Sequence, residues 1–191
     1  MSLTLTKGGN LSLSKAAPTM TTAQIGLGWE VRATDGRPFD LDASAFLLDA
    51  GGRVRSDGDM VFYNQLKSLC GAVVHQGDNR NGQGDGDDEV VTIDLARAPT
   101  EIQRIVLAVT IHDAAERRQT FGQVRGAYIR VCDARTKQEV ARYDLVEDAA
   151  AETALIFGEV YRHGPEWKFR AVGQGFAGGL APLARSFGMR I

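Results

Sequence analysis

The sequence predicts an all-β protein, a two-sheet β-sandwich with a few short helices. Three observations favour this class. Many segments alternate apolar and polar residues with a period of two, β-branched and aromatic residues form short runs, and Gly, Asn and Asp separate those runs. Short strands divided by frequent turn residues are typical of a sandwich. Because the 191 residues contain no evident linker or internal repeat, we expect one domain, residues 1–191.

The elements follow in order along the chain. Residues 3–6 and 10–13 alternate polar and apolar side chains as strands do. The β-branched and aromatic runs predict ten strands, at residues 25–32, 45–48, 60–63, 72–75, 90–95, 104–112, 127–132, 139–144, 154–162 and 166–172. Short helical pieces are expected at residues 100–104, 113–120 and 180–187. Strands therefore dominate the expected structure.

Composition excludes several other classes. Apolar residues make up 43% and charged residues 24% of the chain, as in ordinary globular proteins. The longest apolar run, residues 105–109, is far shorter than the roughly 18 residues of a membrane-spanning helix. The N-terminus lacks the pattern of a signal peptide, and Cys70 and Cys132 are too few and too far apart for a disulfide framework. We expect a cytoplasmic protein with buried or incidental thiols.

Acidic residues are concentrated in one part of the sequence. Residues 35–94 contain 12 acids and five bases, a net charge of −7, whereas the rest of the chain carries +5. Because such crowding is unfavourable without a counter-charge, it favours a cationic ligand. The surplus bases are scattered and form no basic run with interleaved aromatics, so nucleic-acid binding is not expected.

The most acidic segment is the acidic loop, residues 77–89, with the sequence GDNRNGQGDGDDE. It holds five carboxylates and four glycines, with Arg80 as the only base. Calcium takes six to eight oxygen ligands, and two carboxylates 4 Å apart repel by roughly 4 kcal/mol unless a cation lies between them. The EF-hand pattern fails, because Arg80, Gly82 and Gln83 occupy places that need two oxygen ligands and a glycine. The strand-like flanks predict a loop that joins two strands at the rim of the sandwich.

Two further segments could contribute oxygen donors to the same site. Residues 39–44 contain Asp40 and Asp42, and residues 56–64 contain Asp57, Asp59 and Asn64. Their period-two spacing in extended chain permits convergence with the acidic loop. The alternative is that these acids form solvated turns. Calcium is favoured over magnesium, which requires stricter octahedral geometry and keeps its waters.

The histidines leave an enzymatic alternative open. His75, His112 and His163 are too dispersed in sequence to indicate a zinc cluster. His112 with Asp113, and His75 beside the acidic loop, could form part of the site of a metal-dependent hydrolase, although no motif marks a nucleophile.

Several stretches carry a resemblance to a known family. They are KGGNLSLSKAAP, GLGWEVRATDGRPFDLDASAFLL, GDNRNGQGDGDDE, VTIHDA, FGQVRGAYIRV and ARYDLVEDAAAETALIFGEVYRHGPEWKFRAVGQGFAGGLA. Across nearly its whole length the chain resembles the tellurium-resistance TerD family of bacterial stress proteins. It departs from the family pattern at Glu30, where Asp is usual, and at Leu69 and Cys70, in a turn that is usually more polar.

The resemblance implies a calcium-binding β-sandwich, usually with two ions close together, that acts in tolerance of tellurite and other chemical stress. The resemblance supplies no reaction, so we expect a protein that is not an enzyme. Carried over by position, the implied ligand set is Asp40, Asp42, Asp57, Asp59, Asn64, Asp78, Asn79, Gly84, Asp85, Asp87, Asp88 and Glu89.

The resemblance also implies a soluble partner in a multi-protein stress system that includes an integral membrane protein. The chain would then reach the inner face of the membrane through that partner, without inserting directly. Two rival functions remain open at this point: a metal-dependent hydrolase and a calcium-independent scaffold protein.

Overall fold

A computed structural model describes residues 2–30, 37–77, 86–145 and 151–191. Within these ranges, twelve strands form two six-stranded sheets. The strands are β1 Leu3–Leu5, β2 Asn10–Ser12, β3 Thr22–Gly28, β4 Leu41–Leu48, β5 Met60–Val61, β6 Val73–His75, β7 Glu89–Asp94, β8 Arg104–Ile111, β9 Tyr128–Asp133, β10 Glu139–Asp144, β11 Ala154–His163 and β12 Glu166–Phe176. The helices are α1 Leu13–Ala16, α2 Ala114–Arg117 and α3 Leu180–Ser186, and 3-10 turns occupy Asp57–Asp59 and Phe121–Gln123.

The two sheets have a mostly antiparallel topology. Sheet 1 has the order β1-β10-β9-β3-β7-β6, and sheet 2 has the order β2-β12-β11-β8-β4-β5. The pairing of β1 with β10 is parallel, and the other strand pairs are antiparallel. This architecture confirms the predicted all-β fold of two sheets with few short helices.

The main core lies between the sheets, and a second apolar cluster lies outside sheet 2. β7 alternates buried and half-buried residues, as a strand with one face on the core should. By contrast, all eight residues of β4 are buried. Leu41 and Leu47 belong to the main core, whereas Phe46 packs with Leu183 and Phe187 of the C-terminal helical segment. β4 therefore lies between two apolar layers, which explains the continuous apolar run of residues 45–48 in its second half.

Some predicted elements differ from the structure. The helix predicted at residues 100–104 is wrong, because a turn occupies this segment and β8 begins at Arg104. The Arg162 guanidinium donates to the carbonyls of Ala98 and Ile102, at 3.0 Å each, and stabilises this turn. The helix predicted at 113–120 shortens to α2, because Asp113 and Arg118 on either side have φ of 49° and 53°.

Other elements agree more closely. α3 confirms the helix predicted at residues 180–187. The strand predicted at 25–32 begins earlier, at Thr22, and ends at Gly28, while residues 31 and 32 lie outside the described ranges. The strand predicted at 45–48 is the second half of β4. α1 has no counterpart among the predicted elements.

Both cysteines lie within the described residues. Cys132 is buried, Cys70 is half-buried, and both thiols are free. No helix in the described parts of the chain is long and apolar enough to cross a membrane.

The packing of β11 on β12 generates a test of the fold. A Cβ atom at Gly158 would lie 2.8 Å from the Phe169 ring and 3.0 Å from the Arg170 carbonyl oxygen, next to a register shift in β11. We expect Gly158→Ala to lower the free energy of unfolding by about 1–3 kcal/mol, because the buried ring must move. Phe169→Leu in the same background should recover part of that loss. Urea unfolding of both single variants and the double variant measures the coupling, and strictly additive effects would contradict it.

Candidate functional site

The polar residues of interest gather at one end of the sandwich, the acidic end. Here β3, β6 and β8 finish, and β4, β7 and β9 begin. In the strand register, Leu41 lies opposite Ile111 and Leu27 lies opposite Glu89. The Glu89 Oε2 accepts a hydrogen bond from the Ala43 backbone N–H at 3.3 Å, which joins the beginnings of β7 and β4 across the two sheets.

The acidic loop leaves and re-enters the fold at this end. β6 and β7 are antiparallel neighbours, with His75 opposite Val91, and the Gln76 N–H donates to the Val90 carbonyl at 2.8 Å. The loop therefore joins two adjacent strands, as the sequence predicts. Four of the candidate ligands lie outside the described residues: Asp78, Asn79, Gly84 and Asp85.

Asp87 lies against the outer face of sheet 1. Its Oδ1 accepts hydrogen bonds from the Arg130 Nε at 2.7 Å and from the Tyr128 hydroxyl at 3.1 Å. A Cβ atom at Gly26 would lie 2.0 Å from Asp87 Oδ2, so a side chain there would displace the carboxylate. Gly26 thus makes room for Asp87 over β3, and the Asp87 charge is compensated by a cation of the protein itself.

The Asp87 carboxylate shifts the pKa of both donors. Its hydrogen bond raises the pKa of Arg130 above the usual value, against the opposing effect of desolvation. Burial is the main cause that raises the pKa of Tyr128 to about 12, with the negative charge of Asp87 and the hydrogen bond to it contributing in the same direction. Both donors therefore keep their protons at neutral pH.

Asp88 occupies the turn into β7. Its Oδ2 accepts a hydrogen bond from the Trp29 backbone N–H at 3.0 Å, at the end of β3. Burial raises the pKa of Asp88, and the negative charges of Asp87 and Glu89 raise it further, while the Trp29 hydrogen bond acts in the opposite direction. Electrostatically, this is a carboxylate that would be stabilised by an additional positive charge.

Glu89 is the first residue of β7 and points into the sandwich. Its Oε2 lies 2.9 Å from the His75 Nε2, and both side chains are almost fully buried. The candidate ligand Glu89 is therefore held between His75 of the neighbouring strand and the Ala43 amide of the opposite sheet.

Asp40 and Asp42 lie at the start of β4, beside an open groove of about 490 Å³. The two outer nitrogens of Arg117 each lie 3.4 Å from Asp40 Oδ2. The His112 ring approaches Asp42 through Nδ1 at 3.3 Å and Asp113 through Nε2 at 3.4 Å. The groove is lined by Arg37, Pro38, Asp40, Asp42, Tyr63, His112 and Arg117.

The candidates of residues 56–64 are divided between two places. The Asp59 carboxylate is fully buried and forms a two-point ion pair with Arg55, at 2.8 and 2.9 Å. Met60 of β5 lies opposite Phe46, which is four residues, or about 14 Å, along β4 from Asp42. Asp59 precedes Met60 in this antiparallel pair and therefore lies still farther from Asp42. Asp57 is exposed in the same 3-10 turn. Asn64 is exposed at the acidic end, next to the groove residue Tyr63.

The structure therefore places five of the sequence-predicted carboxylates at the same end of the sandwich and two others elsewhere. Those at the acidic end are Asp40, Asp42, Asp87, Asp88 and Glu89, and those placed elsewhere are Asp57 and Asp59. In the described part of the chain, no three His, Cys, Asp or Glu side chains are arranged to hold a metal ion. Sequence spacing did not indicate the roles of Arg117, Arg130 and Tyr128, because their acidic partners are 41 to 77 residues away along the chain.

The Asp87 ion pair generates a prediction about stability. Only 4% of the Asp87 side chain is exposed, so Arg130→Leu leaves a buried carboxylate without its cation. We expect a loss of about 3 kcal/mol in the free energy of unfolding, measured by urea titration. Lys15→Met is the control, because Lys15 is 74% exposed in its ion pair with Glu166 and should contribute below about 1 kcal/mol. Equal losses in the two variants would contradict the structural role of Asp87.

The same contact predicts the titration of Tyr128. Asp87→Asn should lower the Tyr128 pKa from about 12, but not to its usual value, because burial is the larger cause and remains. Phenolate absorbance during a pH titration measures the change, and Tyr128→Phe identifies the transition. An unchanged phenol pKa in Asp87→Asn would show that the carboxylate does not influence Tyr128.

The chain resembles proteins of one family over nearly its whole length. The family model for the TerD domain matches residues 1–187. The chain is 60% identical over 189 residues to the tellurium resistance protein TerD of Serratia marcescens, covering 99% of this chain and 98% of that relative. It is 48% identical over 192 residues to general stress protein 16U of Bacillus subtilis (strain 168), covering 100% of both chains.

A solved structure shares the fold. The crystal structure of a homologue of telluride resistance protein (TerD) from Streptomyces coelicolor A3(2) aligns with a TM-score of 0.71 and 25% sequence identity, covering 86% of this chain and 95% of that one. The family match and the relatives aligned over nearly their whole lengths agree, and this chain belongs to the TerD family.

Proposed function

We propose that this protein binds calcium at the acidic end, as part of a bacterial response to tellurite and other chemical stress. It acts by binding rather than by catalysis. The names of the relatives, a tellurium resistance protein and a general stress protein, support the biological setting. The support for a cation site comes from the charges around the acidic loop.

The observation that carries the proposal is the position of Asp88 at the end of the acidic loop, at the same end of the sandwich as the start of β4. The pKa of Asp88 is raised by burial and by two adjacent carboxylates, at the point where the acidic loop enters β7. Five carboxylates of the acidic loop and two at the start of β4 belong to connections at this one end. A divalent cation among them would offset their mutual repulsion, and oxygen donors of this kind are the ligands that calcium prefers.

The donors fit calcium unequally. Asp87 and Asp59 already have arginine partners, so their carboxylates suit a structural role better than metal coordination. Asp42 and Asp88 fit better, because Asp42 lines the open groove at the start of β4, and Asp88 belongs to the acidic loop and has a pKa raised by burial and by adjacent carboxylates. We propose that these two act with donors of the acidic loop, in one or two calcium sites. The loop donors are Asp78, Asn79, Gly84 and Asp85.

The proposal also covers setting and partners. The protein would work in the cytoplasm with other proteins of the stress system, including an integral membrane protein, and would not bind nucleic acid or insert into the membrane. A metal-dependent hydrolase would instead turn over a substrate in a calcium-dependent screen. A calcium-independent scaffold would bind its partners equally well in calcium and in chelator.

Calorimetry on the full chain tests calcium binding directly. We expect about two calcium ions per chain, because the candidate oxygen donors exceed what one ion can coordinate. Millimolar magnesium should displace calcium poorly. Calcium at about 100 times its dissociation constant should stabilise the fold by roughly 2.7 kcal/mol per independent site, and chelator should reverse the increase in Tm. No heat and identical melting curves would contradict the proposal.

Variants localise the site. Asp42→Asn combined with Asp88→Asn should weaken binding by at least about tenfold, because two charged donors are lost. Asp57→Asn is the matched control, since this exposed carboxylate lies away from the acidic end and its loss should leave calcium affinity unchanged. The opposite pattern would place the calcium site near the 3-10 turn instead.

A further inference from the structure

A buried histidine stands at the base of the acidic loop. His75 ends β6, two residues before Gly77, and Glu89 begins β7 at the other end of the loop. The side chains are only 1% and 2% exposed, and the His75 Nε2 lies 2.9 Å from the Glu89 Oε2. The two residues therefore meet inside the protein at the place where both ends of the loop leave it.

The hydrogen bond to Nδ1 determines which ring nitrogen of a neutral His75 carries the proton. The Gly77 backbone N–H donates to the His75 Nδ1 at 3.2 Å, so in the neutral ring the proton resides on Nε2. Among the described residues, no acceptor meets regular hydrogen-bond geometry with the Nε2–H group. The Glu89 carboxylate is the anionic group within reach of this N–H, at the 2.9 Å separation.

Glu89 extends the connection to the second sheet. Its Oε2 also accepts from the Ala43 N–H at 3.3 Å, and Ala43 directly follows Asp42 on β4. A chain of close contacts therefore runs from the Gly77 amide to β4: a hydrogen bond to His75, the 2.9 Å approach of His75 to Glu89, and the hydrogen bond from Ala43 to Glu89. It links both ends of the acidic loop to the strand that carries a proposed calcium ligand.

We propose that His75 is a positioning residue for the calcium site. By connecting Gly77 to Glu89, its imidazole holds the two ends of the acidic loop in a fixed relation to each other and to Asp42. The calcium part of this inference rests on the proposed function. The physical reason is that residues behind the ligands orient them, and donors that are held in place before binding lose less conformational freedom when the ion arrives.

Three substitutions separate the two contacts of His75. His75→Asn keeps an acceptor near the position of Nδ1, whereas His75→Gln keeps a donor near the position of Nε2. His75→Leu keeps neither. We expect His75→Leu to weaken calcium binding by about tenfold or more, with smaller losses for the Asn and Gln variants, measured by calorimetry on the full chain. His163→Leu is the matched control, because His163 is exposed at the opposite end of β11.

Hydrogen exchange in chelator gives a readout that does not involve calcium. His75→Leu should speed exchange of the Gly77 and Ala43 amides. The Asn variant should restore protection at Gly77, and the Gln variant should restore it at Ala43. A general loss of stability would not produce this divided pattern, and if the Leu variant does not fold, the Asn and Gln pair still carries the comparison.

The outcomes distinguish this inference from the proposed function. Wild-type calcium binding with unchanged affinity and unchanged exchange in the His75 variants would overturn the role of His75 and leave the proposed function intact. Absence of calcium binding by the wild type would overturn the proposed function and the calcium role of His75 with it.

Discussion

The acidic end depends on one constraint: the negative charge of each buried carboxylate must be offset by a cation or by hydrogen-bond donors. An ionised carboxylate removed from water is costly unless a cation or hydrogen-bond donors replace its hydration. The fold meets this requirement with arginines from distant parts of the chain. Arg130 reaches Asp87 and Arg117 reaches Asp40, across 43 and 77 residues of sequence. Each contact holds one acid in place. The Arg130 contact joins β9 to the residues before β7, and the Arg117 contact joins α2 to the residue before β4.

This compensation divides the acids into two groups with different chemistry. Asp87 and Asp59 form close ion pairs and stabilise the fold, and the glycine at position 26 is required because the Asp87 carboxylate occupies the space of its missing side chain. Asp88 accepts a hydrogen bond from the Trp29 backbone N–H at 3.0 Å, and its pKa is raised by burial and by the charges of Asp87 and Glu89. A carboxylate whose pKa is raised by burial and by neighbouring negative charges is stabilised when a cation is added beside it.

The sandwich supplies the rigidity that such a site needs. β4 is buried on both faces, between the main core and the C-terminal helix, so the residues at its start are attached to a strand that cannot shift easily. β7 is bonded to β3 on one side and β6 on the other. Binding residues on loops that begin and end on such strands can vary without loss of the fold.

The sequence alone determined the fold class and the acidic character of the site. Period-two alternation and turn residues are local signals, and they were sufficient to predict most strands, α3 and the strand-to-strand position of the acidic loop. The charge excess of residues 35–94 is a property of composition and required no coordinates. The helix predicted at residues 100–104 failed because a distant residue, Arg162, stabilises a turn there.

Only the tertiary structure decided which acids meet and which have partners. Asp40, Asp57 and Asp87 are equivalent in a count of carboxylates, yet one is paired with Arg117, one is exposed in a distant turn, and one is paired with Arg130. The register of β4 with β5 separates Asp59 from Asp42, and the contact between Glu89 and Ala43 crosses from one sheet to the other. These relations depend on strand order and sheet packing, which bring together residues far apart in sequence, and local patterns carry no information about such distances.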